Sequence, residues 1–367
     1  MIDVRSLPKV ALAALALPLL TTAASPPAKE TKTAAAVAAD WAPPGGRIGY
    51  VLWDEYWGIR ETEGGKEECP KGWNIGPREQ FAILYPDQGK KRKLVDTQLA
   101  YESQVWFPDT EPDGFEYHEA TGKYALGIDL DGKSSPEDFV SDDGRTGIDN
   151  QLFRVVGCVR NYRKEGELGI ITTKWRQQNR FNRVVFELSN VDSLKNDPDV
   201  DVAYFRTLDH LLADSTGHFL PGGSQRIDTR FGKRFQASTK GRIVDGVLET
   251  DPVDLELPEL ALSDPSIIKF KGTKLRLTLT PEKAEGVLGG YADIEQWFYA
   301  MNTSWATHHA SYGQASAPSI YRALRRLADG YPDPKTGENT AISAVMDIKL
   351  VQVYVLHPDA ESLMSAR

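Results

Sequence analysis

The sequence predicts a mainly β protein, β-sandwich-like, with two short helices near residues 292–302 and 317–329. Three observations carry that expectation. Apolar and polar residues alternate with period two in several runs, Asp-Pro and Asp-Gly turn signals separate those runs, and two segments switch to a helical period. Residues 184–188 and 200–205 flank Asn196-Asp197-Pro198 and read as a hairpin. Residues 242–244 and 247–249 flank Asp245-Gly246, a type I′ signal, because that turn needs positive φ at both central positions. Val253, Leu255 and Leu257 alternate with Asp254 and Glu256, and Leu275, Leu277 and Leu279 alternate with Arg276 and Thr278. The closing run, 348–356, slips phase once, which signals a bulge or burial on both faces. For the helices, Ile294, Trp297, Phe298 and Met301 follow Asp293 as N-cap. Ile320, Ala323, Leu324 and Leu327 follow Ser316-Ala317-Pro318 and stop at Gly330. Arg322, Arg325 and Arg326 lie mostly off that apolar stripe and read as a solvated face, with an anion-binding patch as the alternative.

The ends and the organisation follow from composition. Residues 1–24 set two bases, Arg5 and Lys9, before an apolar run and then Thr22-Ala23-Ala24, the order of a signal peptide. That run is about half of the ~20 residues that span a bilayer, and no later segment is long and apolar enough to do so. Residues 25–46, rich in Pro, Ala and Lys, read as a flexible leader, so folded sequence is expected from about Arg47. The remainder divides into an N-terminal β-rich region with an acidic loop, 47–165, and a C-terminal β-sandwich-like region with the helical insert, 166–367. The expected location is periplasmic or secreted. In that setting the two cysteines, Cys69 and Cys158, form a candidate disulfide, since no metal or redox spacing surrounds them.

The 367 residues carry 43 Lys+Arg against 52 Asp+Glu, a net charge of -9; hydrophobic content of 41% is that of a globular chain. The acidic balance argues against general nucleic-acid binding, because such a surface repels a phosphate backbone. The densest cluster of chemically useful residues is the segment 129–150. It holds seven carboxylates, Asp129, Asp131, Glu137, Asp138, Asp142, Asp143 and Asp149, with only Lys133 and Arg145 to offset them. A hard cation relieves such crowding, and calcium accepts six to eight oxygens in irregular geometry. Asp129 and Asp131, at i and i+2, share one side of an extended segment. Gly132 permits a reversal, and Asp149 and Asn150 bring back a carboxylate and an amide oxygen. The pattern is not an EF-hand, since Val140 stands at the twelfth position where a bidentate Glu belongs. A solvated acidic connection is the alternative. The segment then enters Leu152-Phe153-Arg154-Val155-Val156-Gly157-Cys158, which reads as a buried strand.

Residues 50–57 pack four aromatics around Asp54 and Glu55, so Trp53, Tyr56 and Trp57 are candidate ligand-binding residues of the kind a sugar groove uses. Adjacent strand residues point to opposite faces, so Asp54 and Glu55 do not form a facing pair themselves. Core packing of a first strand explains the same aromatics. The six histidines show no zinc spacing. Neither nucleophile-elbow, P-loop nor dinucleotide motif occurs, and no catalytic residue is assigned. The expectation is an exported, calcium-stabilised β-rich binding protein, its ligand a carbohydrate, an envelope component or a protein. The rival is an extracytoplasmic, glycan-directed hydrolase using paired carboxylates among Asp54, Glu55 and the acidic loop.

Overall fold

The structure, a computed structural model, describes residues 40–74, 87, 117–178, 180, 183–261, 264–303 and 317–358. The expected signal peptide, 1–24, and most of the expected leader lie outside the described residues, as do two of the six histidines, His308 and His309. Among the described residues eleven strands form one sheet: β1 (Ile48–Trp57), β2 (Val184–Ser189), β3 (Asp197–Arg206), β4 (Gly223–Arg226), β5 (Gln236–Val244), β6 (Val247–Thr250), β7 (Val253–Ala261), β8 (Asp264–Leu279), β9 (Lys283–Asp293), β10 (Gly330–Pro332) and β11 (Asn339–Leu356). Their order, β1-β2-β3-β5-β6-β8-β9-β11, returns to β1 through antiparallel β1–β11 pairing. The fold is therefore a closed eight-stranded antiparallel barrel, not the sandwich that the alternation suggested. Period-two burial looks the same in both architectures; what separates them is whether the first strand pairs with the last, and no local pattern encodes that. Three strands lie off the ring: β4 runs parallel to the end of β11, β7 pairs with β8 and β10 with β11. The barrel takes strands from both sides of residue 165, so the two expected regions share one sheet.

The local expectations from turns and alternation hold. Asp245 and Gly246 adopt φ of 49° and 79° between β5 and β6. β2 and β3 form the expected antiparallel pair. Tyr50, Leu52, Phe186, Leu188, Leu275, Leu277, Ile348 and Leu350 pack together inside. The phase slip in β11 is burial on both faces: Leu350 faces the core, while Val351 and Val353 join Val51 and Val185 in an outer layer beneath Leu211 and Phe219. The fold also starts earlier than Arg47. Trp41 packs on the core, its carbonyl accepts the Leu194 N–H at 2.9 Å, and Ser193 donates to Asp40 at 2.7 Å.

Among the described residues four α-helices accompany the barrel: α1 (Gln151–Val156), α2 (Glu167–Gln178), α3 (Ile294–Thr303) and α4 (Ala317–Arg326). α3 and α4 are the two expected ones. Asp293 caps α3 by accepting from Gln296 N–H at 2.8 Å, and the rings of Phe298 and Tyr321 meet at 4.8 Å. α1 replaces the buried strand expected at 152–158. Its apolar side chains are buried nearly all round, so it has no solvated face and no helical period to read. Its start is set by a cap, the Asn150 side-chain oxygen accepting from Phe153 N–H. α2 escaped notice because it contains a glycine and the β-branched run 170–173.

One covalent and two ionic ties fasten the N-terminal segment. Cys69 and Cys158 form a disulfide with Cα atoms 5.7 Å apart, just beyond α1. Beside it, buried Arg163 binds Glu68 at 2.8 Å and lies 4.5 Å above the Trp73 ring. Burial alone would raise the Glu68 pKa, but hydrogen bonds from Thr62 and Arg163 outweigh it and hold the carboxyl below its usual range. Farther along, Glu55 of β1 meets Arg176 of α2, each only 1% exposed. Burial raises the Glu55 pKa and Arg176 opposes the rise. The bridge closes a loop with a sequence separation of 89. Cys158→Ser should therefore cost about 4–5 kcal/mol of unfolding free energy in denaturant melts, by loop-closure entropy. Glu55→Ala should cost roughly 3–5 kcal/mol by removing the carboxylate that faces the buried Arg176 guanidinium, and Glu55→Ala combined with Arg176→Met should recover much of that loss.

Candidate metal centre

The acidic loop lies on the outer face of the barrel, across β9 and β11. Ile128 and Leu130, which bracket Asp129, pack with Val287, Tyr291, Ala341 and Val345. Short bridges then fold the loop on itself: Ile128 pairs with Asp149, and Phe139 with Ile148. Gly147 has φ of 71°, and a Cβ there would sit 2.8 Å from the Lys133 carbonyl oxygen. Only glycine allows the two limbs of the loop to approach so closely.

This folding brings together three of the seven carboxylates. Asp129, Asp131 and Asp149 each offer an oxygen, and those oxygens all lie within 4.8 Å of one another. Main-chain N–H groups orient them: Gly132 donates to Asp129 at 2.6 Å, Lys133 to Asp131 at 2.8 Å and Leu130 to Asp149 at 2.7 Å. A cluster of three aspartates could hold a metal ion, and an all-carboxylate set suits a hard cation. Three of the other four acids are engaged elsewhere: Asp142 binds Arg60 at 3.0 Å, Asp143 binds Arg145 at 3.0 Å, and Asp138 accepts from Ser135. Asn150, expected as a neutral oxygen ligand, is placed instead as the α1 cap. Its amide nitrogen donates to the Gly58 and Leu126 carbonyls at 2.7 and 2.9 Å, which directs its oxygen at the helix.

Two further residues reach the same place from distant parts of the chain. Ser343 of β11 receives the Gln151 N–H at 2.8 Å and donates to Asp329 at 2.5 Å. Asp329 is thereby tied to the start of α1, two residues after Asp149. Tyr291 of β9 pairs with Ser343 across the ladder and so projects from the same face. Nothing in the sequence joins these positions to the acidic loop; only the β9–β11 register does.

Burial sets the electrostatics. It pushes the Asp149 carboxyl up to about 7, against the Leu130 N–H, with Asp131, Asp138 and Asp329 adding repulsion. Burial likewise pushes Asp329 up to about 6, opposed by the Ser343 hydroxyl and N–H. Tyr291 is raised by burial and by the charges of Asp149, Asp329 and Asp131. The nearby ammonium of Lys274 is directed at the Asp129 main-chain carbonyl, at 3.0 Å. Beside Asp129 opens a groove of about 800 Å³ along β5, β6 and β8, with Lys240, Arg242, Lys274, Arg276, Asp199 and Glu249 in its walls. Arg242 and Arg276 both bind Glu249, and Lys240 binds Asp199 at 2.8 Å.

The aromatic candidates are not brought to one surface. Trp57 packs into the core against Trp297 at 6.1 Å, Trp53 lies on the outer layer against Phe219 at 5.4 Å, and the Tyr56 ring has Lys164 5.6 Å from its centre. A bulge between Leu52 and Asp54 resets the alternation there. Asp54 is held by Lys349 at 3.1 Å and Thr173 at 3.1 Å, apart from the Glu55–Arg176 pair. Arg325 and Arg326 pair with Glu338 and Glu119.

Comparison with protein-family models, with curated proteins and with solved structures gives no match, so the chemistry of the site stands on its own residues.

Asp149 and Asp329 keep their protons to higher pH when folded than when unfolded, so the folded chain holds protons that unfolding releases. Stability of the cation-free protein should therefore rise as pH falls from about 7 toward the ordinary carboxylate value of 3.8. Denaturant melts across that range should show the rise, and Asp149→Asn should remove most of it.

Proposed function

We propose that this is an exported, calcium-stabilised β-barrel protein, periplasmic or secreted, that acts by binding a polar ligand, a carbohydrate chain foremost. The observation that carries the calcium is the convergence of Asp129, Asp131 and Asp149, three hard donors with oxygens within 4.8 Å of one another. Three carboxylates side by side, that of Asp149 buried, repel each other, and a divalent cation turns that repulsion into attraction. The disulfide suits an oxidising, extracytoplasmic compartment, where free calcium is plentiful enough to fill a site of modest affinity. No described helix is long and apolar enough to cross a membrane.

The groove beside Asp129 supports binding as the activity. Its walls are charged and hydrogen-bonding, and its ion pairs are exposed ones, worth roughly 0–1 kcal/mol each and readily exchanged for a ligand's hydroxyls or carboxylates. Glycoside hydrolysis needs two facing acids about 5–10 Å apart, whereas Asp54 and Glu55 are committed to separate ion pairs.

Calcium at about 100 times its Kd should raise the unfolding free energy by about 2.7 kcal/mol. Asp131→Ala should abolish the calcium-induced rise in melting temperature, while Asp142→Ala in the same loop should retain it. Equal melting in calcium and in chelator, with no heat of calcium binding in calorimetry, retires the reading. Titration with soluble polysaccharides should find a binder that Arg276→Ala weakens; failure of all of them retires the carbohydrate part.

A further inference from the structure

Strand register gives the groove along β5, β6 and β8 a charge pattern of its own. Arg242 of β5 stands opposite Glu249 of β6, and Glu249 opposite Arg276 of β8. Their neighbours Ile243, Leu248 and Leu277 point into the core, so these three side chains form one row across the outside of the barrel, about 5 Å from one to the next. Glu249 is held from both sides: Arg242 binds one of its oxygens at 2.7 Å and Arg276 binds the other. One carboxylate thus serves two guanidiniums, each through a single nitrogen. Lys274, two residues before Arg276 and on the same face of β8, adds a third cation. Its ammonium bonds to the Asp129 main-chain carbonyl and pairs with no carboxylate among the described residues. Two residues back along β5 the pattern inverts. Lys240 is shared by Asp199 and Asp201, each at 2.8 Å, and Asp251 lies beside it, its N–H on the Lys240 carbonyl at 2.8 Å. The groove is therefore polarised, with cations in excess at one end and carboxylates at the other.

A neutral sugar asks only for hydrogen-bonding groups, whereas three cations around one carboxylate are completed by a second carboxylate. A guanidinium fork matches a carboxylate in two parallel hydrogen bonds. Glu249 takes one nitrogen of Arg242 and one of Arg276, and the rest of each fork has no acceptor among the described residues. Resting on the reading of this groove as a carbohydrate site, we propose that its ligand is an acidic polysaccharide, a polyuronate, with a sugar carboxylate held by Arg242, Arg276 and Lys274 beside Glu249. Hydroxyls of the adjoining sugar donate to Asp199 and Asp251 at the acidic end. Nothing in this arrangement depends on a cation at the aspartate cluster.

Trigalacturonic acid and its methyl ester provide the probes, since they share every ring hydroxyl and differ in charge. In calorimetry with chelator present, the acid should bind and the ester should bind about tenfold more weakly, the effect of one charge-assisted hydrogen bond. Arg276→Gln and Lys274→Gln should each weaken binding of the acid about tenfold. Glu249→Gln removes the carboxylate that competes for both guanidiniums, so it should bind the acid more tightly than the wild type, where a merely structural role for the row gives a loss. Arg325→Gln, at an ion pair outside the groove, should change nothing. Wild-type affinity for the acid should also fall as sodium chloride rises, through screening, a measurement that needs no variant to fold. Equal binding of acid and ester, weaker binding by Glu249→Gln, or an affinity indifferent to salt and to Arg276→Gln and Lys274→Gln overturns the acidic ligand and leaves a carbohydrate groove standing. Binding of a neutral glucan that Arg276→Ala weakens, with none of trigalacturonate, does the same. Absence of binding by acidic and neutral saccharides alike overturns the carbohydrate reading as well.

Discussion

Closure of the barrel rests on β1 lying between β2 and β11, with Gly49 opposite Val353 and Trp57 opposite Met346. This ladder joins residues from the two ends of the described chain, and the rest of the architecture hangs on it. It places Tyr50 and Leu52 inside, where Tyr50 also donates to the Thr280 carbonyl at 2.7 Å. It fixes β11 as a strand shared by β1, β9, β4 and β10. Because β11 is held along both edges, its outer face is a firm platform, and the acidic loop is laid on that platform. A closed sheet has no free ring edge, so the chain ends of the barrel protect one another from edge-to-edge association.

The distribution of buried charge separates support from function. Glu55 has Arg176, Glu68 has Arg163, and Asp228 has Arg206 and Arg230, so each of these carboxylates meets an opposite charge. Such pairs hold elements in register, even where a hydrophobic pair of the same size would be as stable. Asp149 is buried to a similar degree, yet the charges acting on it are those of other carboxylates. Lys133 pairs with the exposed Asp131 at 3.8 Å, and Lys274 is directed at a main-chain carbonyl. Repulsion retained at a folded, well-anchored position is what marks this cluster off from the ionic scaffolding around it.

The parts of the fold that were legible in the sequence are those set by neighbours along the chain. The Asp245-Gly246 turn needed only two residues, the alternation of Leu275, Leu277 and Leu279 only a strand, and α3 only its cap and stripe. The disulfide followed from two cysteines. Closure into a barrel was not legible, because the β1–β11 contact leaves no mark on either strand alone. α1 was misread because full burial erased its periodicity, although Asn150 stood at its cap. At the site, Asp129, Asp131 and Asp149 announced themselves by crowding. Asn150 read as an oxygen donor to an ion, and its carbonyl oxygen accepts from the Phe153 N–H at the start of α1. Asp329 and Tyr291 carried no sequence signal, since their membership depends on strand register across β9 and β11.

The Cys69–Cys158 bridge changes what breakage of the chain means. A protease outside the cytoplasm that cuts between residues 69 and 128 releases nothing: β1 remains covalently attached, through sulfur, to the fragment carrying the loop and the other strands. The severed strand then stays at the high effective concentration of a tethered segment and re-docks between β2 and β11 in preference to drifting away. The bridge thus makes the barrel tolerant of nicking, a form of durability that differs from resistance to heat or denaturant and matters most where cleaved chains have no machinery to replace them.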